Sequence, residues 1–126
     1  MENPRRIQSE EQPEVFQMLG DGTYYYNYDV KKVQVEDYNN ESQQPVTKEM
    51  FNFGQVMLRG FPEYKAIVQA VIRQYVTLNE EFDLINSYNK AVASGVTEGN
   101  DITKYKEYIA RVDAIKAMVK KDLNIA

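Results

Sequence analysis

A chain of 126 residues with a formal charge of −4 and a calculated pI near 4.9 fits one domain, long enough to bury a core without disulfide or metal staples. It has no Cys and no His, which excludes disulfides, thiolate zinc sites, cysteine nucleophiles and the commonest general base. The acidic balance argues against broad nucleic-acid binding, and no apolar run has the length of a membrane span.

Residues 1–20 are polar and acidic, with Pro4 and Pro13 interrupting regular structure and a short apolar island at Val15, Phe16, Met18 and Leu19. They read as a partly flexible arm whose island docks on the domain edge or on a neighbour. Met1–Arg6 has two arginines but no apolar stretch, so no signal peptide is expected.

Asp21-Gly22 marks a turn. Residues 23–36 are rich in aromatic and β-branched side chains, which strands favour. Tyr24, Tyr26 and Tyr28 share one phase and Tyr25 takes the other. Val33 and Val35 alternate with Lys32, Gln34 and Glu36, giving one buried and one wet face. The phase changes near Asp29, so two strands or one bent strand are expected. Residues 37–48 read as a polar loop. A further strand follows over 50–59, with Gly54 at a phase switch where a bulge would fit.

From Phe61 the pattern changes to helical. Tyr64, Ile67, Val68, Val71, Ile72 and Tyr75 repeat at i, i+3, i+4 and i+7. Pro62 suits the first helical position, while Glu63 and Arg73 complement the dipole at either end. This helix, 62–75, is expected to lie on the sheet and to receive the later helices.

Thr77-Leu78-Asn79-Glu80 matches a capping box and opens a second helix over 78–94. Its apolar set is Leu78, Phe82, Leu84, Ile85, Tyr88 and Val92, and Gly95 supplies the stop. Asp101 can cap a third helix over 101–122, striped by Ile102, Tyr105, Ile109, Val112, Ile115 and Val119. The second and third helices should form a hairpin. Residues 1–49 hold ten acids and five bases, whereas residues 99–126 hold four acids and six bases. The last helix therefore carries a mildly basic, solvated face.

No set of residues points to catalysis, a cofactor or a metal. Gly20-Asp21-Gly22 lacks the third glycine of a phosphate loop and leads into a strand. Without His no ordinary serine triad can form. Glu80, Glu81 and Asp83 fall in the first turns of a helix, where acids are expected on dipole grounds. The unusual feature is the ten tyrosines, four of them between Tyr24 and Tyr28. A tyrosine buries an apolar ring and keeps one polar end, which suits sheet packing, a protein interface or a small ligand.

Three segments read together resemble small proteins of phage and prophage tail regions, and the last two resemble the C-terminal part of tail-fibre assembly-like proteins. They are Tyr24-Tyr25-Tyr26-Asn27-Tyr28 before the valine strand, Glu81-Phe82-Asp83-Leu84-Ile85-Asn86-Ser87-Tyr88-Asn89, and Tyr105-Lys106-Glu107-Tyr108-Ile109 with Arg111 beyond. The resemblance implies a non-enzymatic virion component or assembly helper. It would act in the cytoplasm of a bacterial host or on the virion.

The sequence reading is thus an α+β domain over 21–126. An antiparallel sheet of about three strands (23–36, 50–59) packs on helix 62–75, and a helical hairpin (78–94, 101–122) follows. The expected function is protein binding, to itself or to a phage tail component, with no nucleic acid and no membrane. Tyr24, Tyr26, Tyr28, Tyr105 and Tyr108 are the candidate interface residues. The alternative is a small-ligand or carbohydrate module using the tyrosine face.

Overall fold

Alternation of tyrosine and valine with polar residues makes the most extended strand of the molecule. The computed structural model describes residues 1, 3–37 and 46–126, and is mixed α+β with an antiparallel sheet and three helices. The chain divides into two compact units: Arg5–Phe61, and Pro62–Ala126 together with Met1–Pro4. Residues 21–126, read from sequence as one domain, therefore divide at Pro62.

The first unit is a sheet. Strands β1 (Ile7–Ser9), β2 (Phe16–Met18), β3 (Thr23–Asp37) and β4 (Val46–Arg59) lie in the order β1-β4-β3-β2, every neighbour antiparallel. The expected count of three strands becomes four, because the first twenty residues contribute both edges. Phe16 of the apolar island pairs with Tyr26, and Ile7 pairs with Phe53. Residues 23–37 form one strand. Residues 46–48, expected within a loop, belong to β4 and pair with residues 35–37. Pairing to a ready-made partner strand outweighs the weak strand preference of Lys48. The rest of the expected loop, 38–45, lies outside the described residues.

The phase change expected near Asp29 is a bulge. Tyr28 pairs with Gly54 and Lys31 with Asn52, so Asp29 and Val30 together oppose Phe53 alone. Asp29 takes φ 51°, a left-handed conformation that aspartate tolerates better than most residues. Arg6 secures this bend. Its guanidinium donates to the Asp29 carbonyl at 2.6 Å, the Asp29 carboxylate at 3.2 Å and the Asn52 carbonyl at 3.1 Å, and also to the Asn52 side-chain oxygen. A carbonyl that the bulge removes from the ladder thus regains a donor. Arg6→Ala should lower stability by about 1 kcal/mol, read as a drop in melting temperature by circular dichroism. An unchanged midpoint would mean that water serves the Asp29 carbonyl equally well.

The bulge is on β3 and not at Gly54, where the sequence suggested one. Gly54 has a different purpose: the Tyr28 ring lies over it. A Cβ at residue 54 would sit 2.7 Å from the Tyr28 hydroxyl oxygen and nearer still to two ring carbons. The opposite face of the sheet buries Asn27, whose amide nitrogen donates to the Glu14 carbonyl at 2.7 Å while its oxygen accepts from Gln55 at 2.9 Å. A buried amide satisfied on both ends is tolerable in a core.

The second unit is helical: α1 (Tyr64–Tyr75), α2 (Leu78–Ala93) and α3 (Asn100–Asp122). α1 starts two residues later than Pro62. Its first bond runs from the Ile67 N–H to the Glu63 carbonyl at 3.0 Å, and Glu63 is an extended N-cap with no side-chain bond. Pro62 therefore precedes the helix, and Glu63 is not in its first turn. The capping box at Thr77 and Glu80 forms as expected, each side chain meeting the other residue's N–H. α2 stops through Gly95 at φ 77°: its N–H bonds to the Val92 carbonyl and the Val96 N–H to the Ala91 carbonyl. That is a Schellman ending, open to glycine because no Cβ opposes the left-handed turn. Asp101 is not a cap; Gly99 holds that position and Asp101 lies in the first turn of α3.

α3 is the middle element, in contact with both α1 and α2. Lys120 lies over the Tyr64 ring and Arg111 over the Tyr75 ring, so α1 runs antiparallel to it. The stripe read from α1 is largely buried at Ile67, Val68, Val71 and Ile72, as are Ile102, Ile115 and Val119 of α3. Among the described residues no helix is long and apolar enough to cross a membrane.

Candidate protein-binding surface

The tyrosines separate into two groups with different work. Tyr24, Tyr26 and Tyr28 are at most 2 % exposed. Their face of the sheet also carries Phe16, Val56 and Leu58 in register. Tyr26 stacks on Phe16 at 5.2 Å and on Tyr28 at 5.5 Å between ring centroids, and Phe16 meets Tyr24 edge to face. Such ring pairs add stability beyond the area they bury. These three candidates are therefore core residues and offer no surface to a partner.

Tyr105 and Tyr108 belong to the seam between α2 and α3. Tyr105 is half-buried and stacks on Tyr88 of α2, with centroids 4.0 Å apart and planes 15° from parallel. Tyr108 is buried and its hydroxyl donates to the Glu81 carboxylate. The other Glu81 oxygen accepts from Arg73 of α1 at 3.0 Å. One carboxylate thus joins all three helices. Burial works to raise the Glu81 pKa, but the bonds from Tyr108 and Arg73 and the Arg73 charge outweigh it and hold the group below its ordinary value. Burial, then the hydrogen bond to Glu81 and its negative charge, push the Tyr108 phenol well up.

With Glu81 and Tyr88 turned towards α3, the other apolar residues of α2 cannot all turn inward. At 100° per residue, Leu78, Phe82, Ile85 and Val92 lie within a narrow arc of the helix. Leu78, Phe82 and Val92 are 50 %, 52 % and 51 % exposed, and no residue of α2 is fully buried. The stripe expected to be the packing face of α2 is therefore split. Leu84, Ile85 and Tyr88 are part-buried, while Leu78, Phe82 and Val92 stand half in solvent. This is the surface that periodicity did not identify as one.

Comparison of the chain with protein-family models, with curated proteins and with solved structures finds no match. The site must be judged on its own chemistry. Among the described residues no group of three or more metal-ligating side chains converges. Glu80 is engaged in the capping box, and Glu81 with Arg73 and Tyr108. An open groove of about 380 Å³ between α2 and α3 is lined by Glu80, Asp83, Asp101 and Glu107 with Lys104. Four carboxylates to one ammonium make it an acidic cleft.

Proposed function

We propose that this protein is a non-enzymatic assembly component that works by protein–protein contact, with the outer stripe of α2 as its docking face. The observation that carries this reading is a helix of 16 residues with none fully buried and three large apolar side chains half in water along one face. Apolar patches of this kind on a folded protein mark interaction sites. An apolar row along one face is how an amphipathic helix enters a partner's groove. The capping box at one end and the Schellman turn at the other define the helix ends. Glu81 and Tyr88 hold its inner side against α3, so binding need not order it first.

The resemblance to tail-fibre assembly-like proteins supplies the partner class: a phage or prophage tail component, met in the cytoplasm of a bacterial host or on the virion. The burial of Tyr24, Tyr26 and Tyr28 against one another and Phe16 favours this reading over a small-ligand or carbohydrate module using those rings.

The test co-expresses this protein with candidate phage tail components. Tagged wild-type chain should retain one of them through purification. Phe82→Asp should weaken that binding at least about tenfold, the loss expected of an interface anchor, with an unchanged far-ultraviolet spectrum. Equal retention by the variant would remove α2 from the interface, and no retention by the wild type would count against the assembly reading itself.

A further inference from the structure

The outer half of β3 carries a charge pattern that is symmetric about Gln34. From Lys31 onwards β3 pairs with β4 on one side only, because β2 reaches no further than Tyr24–Tyr26. Among the described residues, the other edge of this segment has no strand on it. Its Lys31 and Lys32 side chains are 65 % and 70 % accessible, and Val33 and Val35 are half-buried.

Its sequence is Lys31-Lys32-Val33-Gln34-Val35-Glu36-Asp37. Read backwards with charges inverted it is nearly the same sequence. If a second copy approaches antiparallel, about a two-fold axis through Gln34, Lys32 meets Glu36 of the other copy and Val33 meets Val35. Gln34 meets Gln34, and Lys31 and Asp37 continue the register outward. Directly opposed residues of antiparallel strands project on the same face, so each pair lies side by side. A parallel approach in register would instead set lysine on lysine and glutamate on glutamate.

We propose that two copies of this chain join edge to edge through residues 31–37 of β3, antiparallel about Gln34, so that the sheet runs on from one molecule to the next. Lysines on an edge strand ordinarily repel a second strand. Here an acid stands at the mirror position of each lysine, and the repulsion becomes a register. A two-fold contact of this kind is closed: it makes a dimer and uses up the edge, where a staggered contact would build a fibre. The Lys32–Glu49 ion pair within the chain, 3.4 Å and exposed on both sides, is weak enough to be shared. The contact lies on the sheet unit and stands whether or not the α2 stripe binds a tail protein.

The test is sedimentation velocity of the full chain over a concentration series. Wild type should pass from monomer to dimer and no further, and added salt should weaken the association. Lys32→Glu alone and Glu36→Lys alone each set two like pairs against each other and should raise the dissociation constant at least about tenfold. An equimolar mixture of the two variants restores opposite charges across the axis and should associate as wild type does. So should the double variant Lys32→Glu/Glu36→Lys. Phe82→Asp should leave the self-association unchanged. A wild type that stays monomeric, a mixture that fails to associate, or a dimer lost in Phe82→Asp but kept in Lys32→Glu would overturn the proposal. Circular dichroism of each single variant confirms the fold, and the mixture keeps the test decisive if one variant is less stable.

Discussion

Gly54→Ala should be among the most damaging single substitutions in this chain, lowering stability by about 3 kcal/mol, the upper range for forcing extra volume into a packed site. The cause is one contact. The Tyr28 ring covers residue 54 so closely that a methyl group there would overlap its ring carbons and approach its hydroxyl oxygen at 2.7 Å. Tyr28 cannot swing aside cheaply, because it is 2 % exposed and stacked on Tyr26. A melting midpoint lowered by roughly 12 °C follows for a chain of this size. In the double variant Gly54→Ala/Tyr28→Ala the loss should be smaller than the sum of the two single losses, because the clash needs both residues. A Gly54→Ala protein that melts with the wild type would show that the ring has room to move.

The second large effect is expected at Glu81. Glu81→Ala leaves the Arg73 guanidinium and the buried Tyr108 hydroxyl without their shared acceptor, and should destabilise the helical unit by about 2 kcal/mol. Glu81→Gln keeps an acceptor and removes the charge, so it should lose less. The pH dependence separates the two contributions. The Glu81 carboxyl is held below the ordinary glutamate value of 4.5 in the folded chain. Its contribution is complete above that value and is lost as the pH falls through the folded pKa. Tyr108 is shifted the other way, above the ordinary 10.0. Its contribution is complete below pH 10 and fades as the pH rises past it. Denaturant midpoints recorded against pH should show a shoulder on each limb. Glu81→Gln should flatten the acid limb and Tyr108→Phe the alkaline one. An acid limb identical in wild type and Glu81→Gln would show that the carboxylate contributes nothing through its charge.

Much of this architecture could be read in advance wherever a local rule decided it. Thr77 and Glu80 announced a helix start, Gly95 a helix end, and alternation of Tyr24, Tyr26 and Tyr28 a single sheet face. Each depends on residues within one or two turns of each other. What stayed hidden depended on partners far along the chain. Ile7–Ser9 and Phe16–Met18 are too short for periodicity to register, and they are strands because β4 and β3 offer edges to pair with. The bond from Tyr108 to Glu81 spans 27 residues and the pair from Arg73 to Glu81 spans 8; both follow from how the helices align on α3. The tyrosine cluster was conspicuous in composition, but composition does not separate a packed ring from an exposed one. The same ambiguity in α2 had the opposite outcome: half of an apolar stripe that read as core is surface.

The extra residue in β3 also sets a frame for everything beyond it. Up to Tyr28 the even-numbered side chains point into the packed face; past the Asp29–Val30 bulge it is the odd-numbered Val33 and Val35 that are half-buried. The bulge is in effect a counter that has slipped by one. Removing either Asp29 or Val30 would reset it, and Lys32, Gln34 and Glu36 would be driven to the side the valines now occupy. A homologue missing one residue at this point would have to exchange polar for apolar at every later position of the strand. A single gap there would rewrite the outer ribbon.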